Sequence, residues 1–133
     1  MHHHQKFFKC SHCGNVVGLI NNGGVPLHCC GKPMQEMEAN QAEASAEKHK
    51  PYVKCRGDKL RVEVGTEQHP MSEGHNIAWV YLQTARGGQR KSFVHSDSPE
   101  VEFSITADDK PEAVFSYCNQ HGLWKTTASE FEQ

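Results

Sequence analysis

Alternation of apolar and polar residues predicts short β-strands along most of the chain after residue 48. In residues 59–65, the apolar side chains Leu60, Val62 and Val64 alternate with charged ones, which indicates a strand with one face on a core. Residues 76–84 (NIAWVYLQT) are largely apolar on both faces, as expected of a central strand. Further strands are predicted within residues 91–95, 101–107 and 112–118.

Turn signals separate these strands at short intervals. They are the segments GTEQHP, ARGGQ, SDSP and ADDKP, and the Gly87-Gly88 pair is interpreted as a turn only. The alternation predicts the core-facing residues of the last two strands, which are Val101, Phe103, Ile105, Ala113, Phe115 and Tyr117. The sequence contains no internal repeat and no long helical pattern, so we expect a mainly β fold with an antiparallel sandwich.

Residues 5–38 differ from the rest of the chain because they are rich in glycine and cysteine and contain few large apolar residues. A segment this small cannot bury much of a core and usually folds around a metal ion or disulfides. Residues 39–47 are small and polar, and we interpret them as a linker. The predicted organisation is a metal domain over 1–38, this linker, and a β-sandwich domain over 48–133.

Composition and charge exclude several functional classes. The 133 residues include 14 basic and 16 acidic side chains, a formal net charge of −2, which offers nucleic acids no general attraction. No segment approaches the roughly 20 apolar residues of a membrane span, and the N-terminus lacks the apolar region of a signal peptide. We therefore expect a cytoplasmic protein without membrane partners. In the reducing cytoplasm, a content of six cysteines and ten histidines favours metal binding over disulfides.

The first cysteine group has the spacing of a four-thiolate metal site. Cys10 and Cys13 form a C-x-x-C pair, and the adjacent Cys29 and Cys30 supply two more sulfurs. Four thiolates complete a tetrahedral site for zinc or for a single iron, and the spacing leaves both metals open. Because neighbouring residues must both turn their sulfurs toward one metal, we expect a strained site. The flanking histidines, interpreted as surface residues, are His12 and His28.

A second group of donors lies in the predicted sandwich. Cys118 and His121 form a C-x-x-H pair at the end of the last predicted strand, and the other donors are His49, His69 and His75. Strand ends and loops of a sandwich can meet at one rim, so these five side chains can come together there. Cys55 has no place in either group, and we expect it to be a small buried apolar side chain; His95 is also unassigned.

Five nitrogen and sulfur donors suit iron(II) better than zinc, which prefers four ligands. Four imidazoles and one thiolate make a square pyramid with one open position. The thiolate opposite that position pushes electron density toward the ligand bound there, as it does in thiolate-ligated haem. A site of this kind can reduce a small oxygen species by one electron.

In these motifs the chain resembles the desulfoferrodoxins, the two-iron class of superoxide reductase. The resemblance rests on C-x-x-C with adjacent cysteines, E-K-H-x-P, H-P-M followed by histidine, and C-N-x-H-G-L-W, and it extends from about Phe8 to Lys125. It implies a small desulforedoxin-like metal domain, an immunoglobulin-like antiparallel β-sandwich and a homodimer.

The resemblance also implies the ligands of two iron ions per chain. The rubredoxin-like iron would be held by Cys10, Cys13, Cys29 and Cys30. The catalytic iron would have His49, His69, His75 and His121 as equatorial ligands and Cys118 as the axial thiolate. Backbone N–H groups of Asn119 and Gln120 are expected to hydrogen-bond that sulfur, and Trp124 is expected either beside the site or in the core.

The activity implied is the one-electron reduction of superoxide to hydrogen peroxide without release of oxygen. By the resemblance, Glu47 fills the sixth position of the oxidised iron, and Lys48 attracts superoxide and helps to deliver a proton. The implied electron donor is a rubredoxin or a similar small carrier. The alternatives are an electron carrier that uses only the four-cysteine iron, a zinc-stabilised binding module, and a superoxide dismutase.

Overall fold

The computed structural model describes residues 4–40, 49–65, 70–94 and 97–133. The chain divides into two compact units, one over residues 4–38 and one that begins at Ala39 and ends at Gln133. All six cysteines lie among the described residues, and all are free thiols. Within the described ranges, no helix is long and apolar enough to cross a membrane.

The N-terminal unit consists of two small antiparallel sheets. Its strands are β1 (Lys6–Lys9), β2 (Val16–Leu19), β3 (His28–Cys29), β4 (Lys32–Pro33) and β5 (Gln35–Glu36). Strand β1 pairs with β2 and β5, and β3 pairs with β4. Each cysteine pair therefore lies at a hairpin, because the β1–β2 connection carries one pair and the β3–β4 hairpin carries the other. In this unit Phe7 and Cys10 are the buried apolar side chains.

The second unit is an antiparallel sandwich, which confirms the predicted fold class. Its strands are β6 (Pro51–Arg56), β7 (Lys59–Val64), β8 (Ile77–Thr84), β9 (Gly87–Ser92), β10 (Glu100–Ser104), β11 (Pro111–Cys118) and β12 (Gly122–Thr127). One sheet has the order β10-β7-β6 and the other the order β12-β11-β8-β9. A single-turn 3-10 helix, Ala128–Glu130, follows β12.

The core between the two sheets follows the predicted alternation in most strands. Leu60, Val62 and Val64 of β7 all point into it, together with Phe103 of β10. On β11 the predicted residues Ala113, Phe115 and Tyr117 are buried as expected, but the core between the two sheets takes Val114 and Cys118 of the opposite face instead. All six residues from Ala113 to Cys118 are buried, so the pattern of apolar residues on this strand does not distinguish the face toward the other sheet from the opposite face.

The interpretation of Gly87 and Gly88 as a turn is also wrong. The turn lies at Ala85 and Arg86, and both glycines belong to β9, where Gly88 pairs with Gln83. A side chain at residue 88 would collide with the ring of Tyr81. This glycine is therefore explained by an aromatic ring that crosses the hairpin, and strands rich in glycine are easily mistaken for turns.

Candidate metal centres

The four cysteines of the N-terminal unit form one compact cluster. Their sulfur atoms all lie within 4.8 Å of one another, and Cys13 Sγ is 3.6 Å from Cys29 Sγ. The first hairpin also points a backbone donor inward, because Cys13 N donates to Cys10 Sγ at 3.5 Å. Ligands about 2.3 Å from one tetrahedral ion lie about 3.8 Å apart, so these sulfurs need little movement to bind a metal.

Adjacent cysteines enter the cluster through a left-handed backbone. Cys30 has φ of 55°, and it is the one non-glycine residue with positive φ among the described residues. Gly31 continues the turn with φ of 75°. An L-residue in this region carries strain that the surroundings must sustain. The expected strain of the adjacent cysteines is therefore located in the backbone of Cys30.

The ionisation of the sulfurs indicates that this cluster needs a cation. The hydrogen bond from the backbone N–H of Cys13 lowers the pKa of Cys10 to about 6. Hydrogen bonding with the Cys13 thiol, and the nearby Cys10 sulfur, raise the pKa of Cys30 to about 12. Four thiolates at these distances repel one another, and a bound cation removes that repulsion. The cluster therefore fits an iron or zinc ion well.

Asn15 is a neighbour of this cluster that its cysteine spacing does not reveal. Its side-chain amide Nδ2 donates a hydrogen bond to Cys29 Sγ at 3.5 Å. Its backbone carbonyl oxygen accepts a hydrogen bond from the backbone nitrogen of Cys10 at 2.9 Å. A donor aimed at a ligand sulfur stabilises the more negatively charged, reduced state of an iron–thiolate centre.

Replacing Asn15 by leucine is therefore expected to lower the reduction potential of the four-cysteine iron. The change removes the amide donor and leaves the backbone bond of residue 15 in place. The expected shift is on the order of tens of millivolts, since only part of a charged hydrogen bond differs between oxidation states. Spectroelectrochemical titration measures it. Asn22→Leu is the matched control, because Asn22 bonds Gly24 N in the same unit and no sulfur; equal shifts in both variants would contradict the prediction.

The second cluster lies at one rim of the sandwich and joins three histidines to one cysteine. Donor atoms of His49, His75, Cys118 and His121 all lie within 4.8 Å of one another. His49 Nε2 is 3.0 Å from His121 Nδ1, and Cys118 Sγ is 3.6 Å from the same nitrogen. Cys118 and His49 are buried and His121 is exposed, so the cluster is shielded at the first two residues and faces solvent at His121.

The turn between β11 and β12 places Cys118 and His121 together. Cys118 ends β11, Gly122 begins β12 with φ of 84°, and the left-handed glycine closes the turn. His121 N donates to Cys118 Sγ at 3.4 Å. The prediction that Asn119 N–H bonds this sulfur is wrong, because Asn119 N donates to Asn76 O at 3.1 Å.

His49 is held in the cluster by two buried contacts. Its carbonyl oxygen accepts a hydrogen bond from Ser116 Oγ at 2.7 Å, and its ring stacks on Trp124 with centroids 5.0 Å apart. Trp124 also donates from Nε1 to His121 O at 3.2 Å. Both alternatives for Trp124 are thus true, since it is buried and lies beside the site. Nothing in the sequence pattern marked Ser116.

Several predicted site residues fall outside or apart from this cluster. Glu47, Lys48 and His69 lie outside the described residues, as does His95. Cys55 lies on β6, packs against the core while only partly buried, and belongs to neither cluster; burial raises the pKa of its thiol. His12 and His28 are exposed, as expected.

The donor chemistry of the second cluster fits iron. Three imidazoles and one thiolate are borderline-soft ligands of the kind that iron, zinc and copper accept. Ligands about 2.0–2.3 Å from one ion lie about 3–4.6 Å from one another. The donor atoms here lie within 4.8 Å of one another, and two of their separations are 3.0 and 3.6 Å. The cluster is buried at Cys118 and exposed at His121.

Comparison with known proteins identifies relatives over nearly the whole chain. The family model described as desulfoferrodoxin matches residues 41–127, and that of the desulfoferrodoxin N-terminal domain matches residues 2–37. A desulfoferrodoxin of Nitratidesulfovibrio vulgaris is 39% identical over 123 residues, covering 92% of this chain and 96% of the relative. A superoxide reductase of Pyrococcus horikoshii is 36% identical, covering 59% of this chain and 84% of the relative.

A solved structure supports the same relationship in three dimensions. The superoxide reductase of Treponema pallidum is similar with a TM-score of 0.79 and 32% identity, covering 93% of this chain and 98% of the other. The four-cysteine cluster lies within the range matched by the N-terminal family model, and the histidine–cysteine cluster lies within the range matched by the other. The two clusters therefore fit the two iron centres of desulfoferrodoxins.

Proposed function

The chain belongs to the desulfoferrodoxin family, and from that membership we infer that it is a superoxide reductase. The observation that carries this proposal is the convergence of His49, His75, His121 and Cys118 within 4.8 Å of one another. One buried thiolate among imidazoles is a donor set for redox-active iron with room for a small ligand. The reaction adds one electron and two protons to superoxide and gives hydrogen peroxide, without release of oxygen.

Each cluster holds one iron ion in this proposal. The first iron is bound by Cys10, Cys13, Cys29 and Cys30. The catalytic iron would be held by His49, His69, His75, His121 and Cys118. His69 lies outside the described residues, and its assignment is supported by its H-P-M motif and by the need for a fifth donor.

The protein residues set the conditions under which the reaction takes place. When bound, ferrous iron would supply the one electron that superoxide takes up. The backbone N–H of His121 donates a hydrogen bond to Cys118 Sγ, with the nitrogen 3.4 Å from the sulfur, and it thereby weakens the electron donation of the thiolate. Trp124 and Ser116 fix the ring and the backbone of His49. Solvent reaches the site at exposed His121, where a small anion can enter.

Glu47 and Lys48 are proposed to act at the mouth of this site. Both directly precede His49, whose ring is buried in the cluster, so neither is more than two residues from a ligand. The lysine attracts superoxide and helps to deliver a proton, and the carboxylate would be a further ligand of the oxidised iron. Glu47→Ala is accordingly expected to leave the first encounter fast and to alter the spectrum of the resting ferric site.

Replacing Lys48 by isoleucine is expected to slow the reaction with superoxide roughly tenfold at low ionic strength and to weaken its salt dependence. The measurement is the second-order rate constant against salt, after pulse-radiolytic generation of superoxide. Lys50→Ile is the matched control. It removes the same charge on the other side of His49, from a lysine already paired with Glu130 at 2.5 Å. Equal slowing in both variants would contradict local steering by Lys48.

The test of the function itself is the stoichiometry of the products. Reduced protein mixed with substoichiometric superoxide is expected to yield one hydrogen peroxide and one oxidised iron per superoxide, with no oxygen above background. A dismutase would instead yield half a peroxide and half an oxygen molecule per superoxide. An electron carrier or a zinc module would leave superoxide to decay at its spontaneous rate, and either outcome would refute the proposal.

The wider setting of the enzyme is also part of the proposal. A rubredoxin or a similar small carrier re-reduces the iron, and two chains form a homodimer, both by family resemblance. A metal domain over 1–38, a linker over 39–47 and a catalytic domain over 48–133 agree with the position of each cluster. A cytoplasmic location is also proposed, because a cysteine-rich chain that binds metal through its sulfurs suits a reducing compartment.

A further inference from the structure

The turn between Cys118 and His121 is hydrogen-bonded to the loop that carries His75. Asn119 makes three of these bonds. Its side-chain Oδ1 accepts from Asn76 N at 2.9 Å, and its Nδ2 donates to Gly74 O at 3.1 Å. Its backbone N donates to Asn76 O at 3.1 Å. The amide of Asn119 therefore binds the backbone on both sides of His75.

The loop that carries His75 is itself a closed turn. Ser72 N and Ser72 Oγ donate to His75 O at 2.9 and 3.1 Å, and His75 N donates to Ser72 Oγ at 3.2 Å. Asn76 Nδ2 donates to Ser72 O at 2.8 Å. Because the turn is internally bonded, fixing residues 74 and 76 from outside fixes His75 between them.

An irregularity in the sheet explains why a side chain is needed at this point. Strands β8 and β11 pair regularly from Leu82 to Trp79, and the register then shifts between Tyr117 and Cys118. Cys118 pairs with Ile77, and the strands end there. Asn119 continues the pairing beyond the shift with both its backbone and its amide, and it thereby links the end of β11 to the start of β8.

We propose that Asn119 is a positioning residue that holds His75 in register with Cys118 and His121, an inference that rests on the proposed function of these three as ligands. The position requires one acceptor and one donor at the end of a short side chain. Asparagine supplies both, whereas aspartate keeps the acceptor and lacks the donor. Groups that orient metal ligands typically change metal affinity by about 10–100-fold when they are removed.

The test compares iron retention in Asn119→Asp with the unaltered chain, both fully loaded with iron. A ferrous chelator is added without oxygen, the iron that it binds is measured over time, and the iron left in each centre is determined from the ferric spectrum of samples that are freed of chelator and then oxidised. We expect the histidine–cysteine centre of the variant to lose iron at least about tenfold faster. The thiolate-to-iron band should also shift in the ferric state. The four-cysteine centre is an internal reference whose rate should not change.

Gln89→Ala is the matched control, because Gln89 Nε2 donates to the backbone oxygen of Ser104 at 2.8 Å, outside the metal cluster. It should leave both iron-loss rates unchanged. Asn119→Ala removes the same bonds without adding a charge, and it should give the same direction of change. Unchanged iron loss in both Asn119 variants would overturn the proposal, as would equal acceleration in Gln89→Ala. Because this readout needs no superoxide, it can succeed or fail independently of the proposed reaction.

Discussion

Replacing Cys118 by serine is expected to remove the thiolate-to-iron band of the oxidised protein and to slow superoxide reduction by at least about 100-fold. Cys118 is fully buried at the end of β11, and it is the one cysteine among the donors of this cluster. A serine oxygen is a harder and less electron-donating ligand, and the site loses the group that pushes electron density toward the substrate. The measurements are iron per chain, the visible spectrum before and after mild oxidation, and the rate with superoxide.

Two features make this experiment decisive. The ferric four-cysteine spectrum should persist in Cys118→Ser, which shows that the variant is folded and loaded there. Cys55→Ser is the matched control, because Cys55 is the other cysteine of the sandwich and lies outside both clusters. It should retain two irons and the band. A band that survives in Cys118→Ser would show that Cys118 is not the sulfur ligand.

The fold was predictable from the sequence wherever one face of a strand is exposed to solvent and the other is buried. On β7 the charged residues Arg61 and Glu63 mark the solvent side, and the alternating partners are core residues as predicted. On β11 both faces are buried, so the alternation of apolar residues does not show which face lies on the core between the two sheets. Gly88 shows a related limit. The ring of Tyr81 on the paired strand leaves no space for a side chain at residue 88, and the local sequence does not indicate this contact.

The metal clusters were predictable because their donors are chemically distinctive. Cysteine and histidine in this spacing indicate metal binding, and the described members of both groups lie close together in the structure. The supporting residues were not predictable, because asparagine and serine are common in turns for many reasons. The contact of Asn15 with Cys29 and that of Asn119 with residues 74 and 76 depend on how separate hairpins meet, which no local pattern encodes.

The sequence also indicated that the N-terminal unit depends on its metal, and the structure makes the reason concrete. Among its described side chains, Phe7 and Cys10 are the buried apolar ones, and one of the two is itself a proposed ligand. Units of fewer than about 40 residues rarely fold on a core alone. Structural metals contribute about 10–16 kcal/mol in peptides of comparable size, which exceeds anything that two buried side chains can supply.

Replacing Cys10 by serine is therefore expected to unfold residues 4–38 while the sandwich stays folded around its own metal ion. Heteronuclear NMR of the diamagnetic, zinc-loaded chain measures this: the amide signals of residues 4–38 should lose their dispersion, and those of the sandwich strands should keep theirs. Ser11→Ala is the control, since Ser11 is the exposed neighbour of Cys10 and is not a ligand. Dispersed signals from residues 4–38 in Cys10→Ser would mean that the short strands hold together without a complete tetrathiolate site. The centre would then be free to serve electron transfer alone, whereas the expected collapse makes its first role the folding of the unit around it.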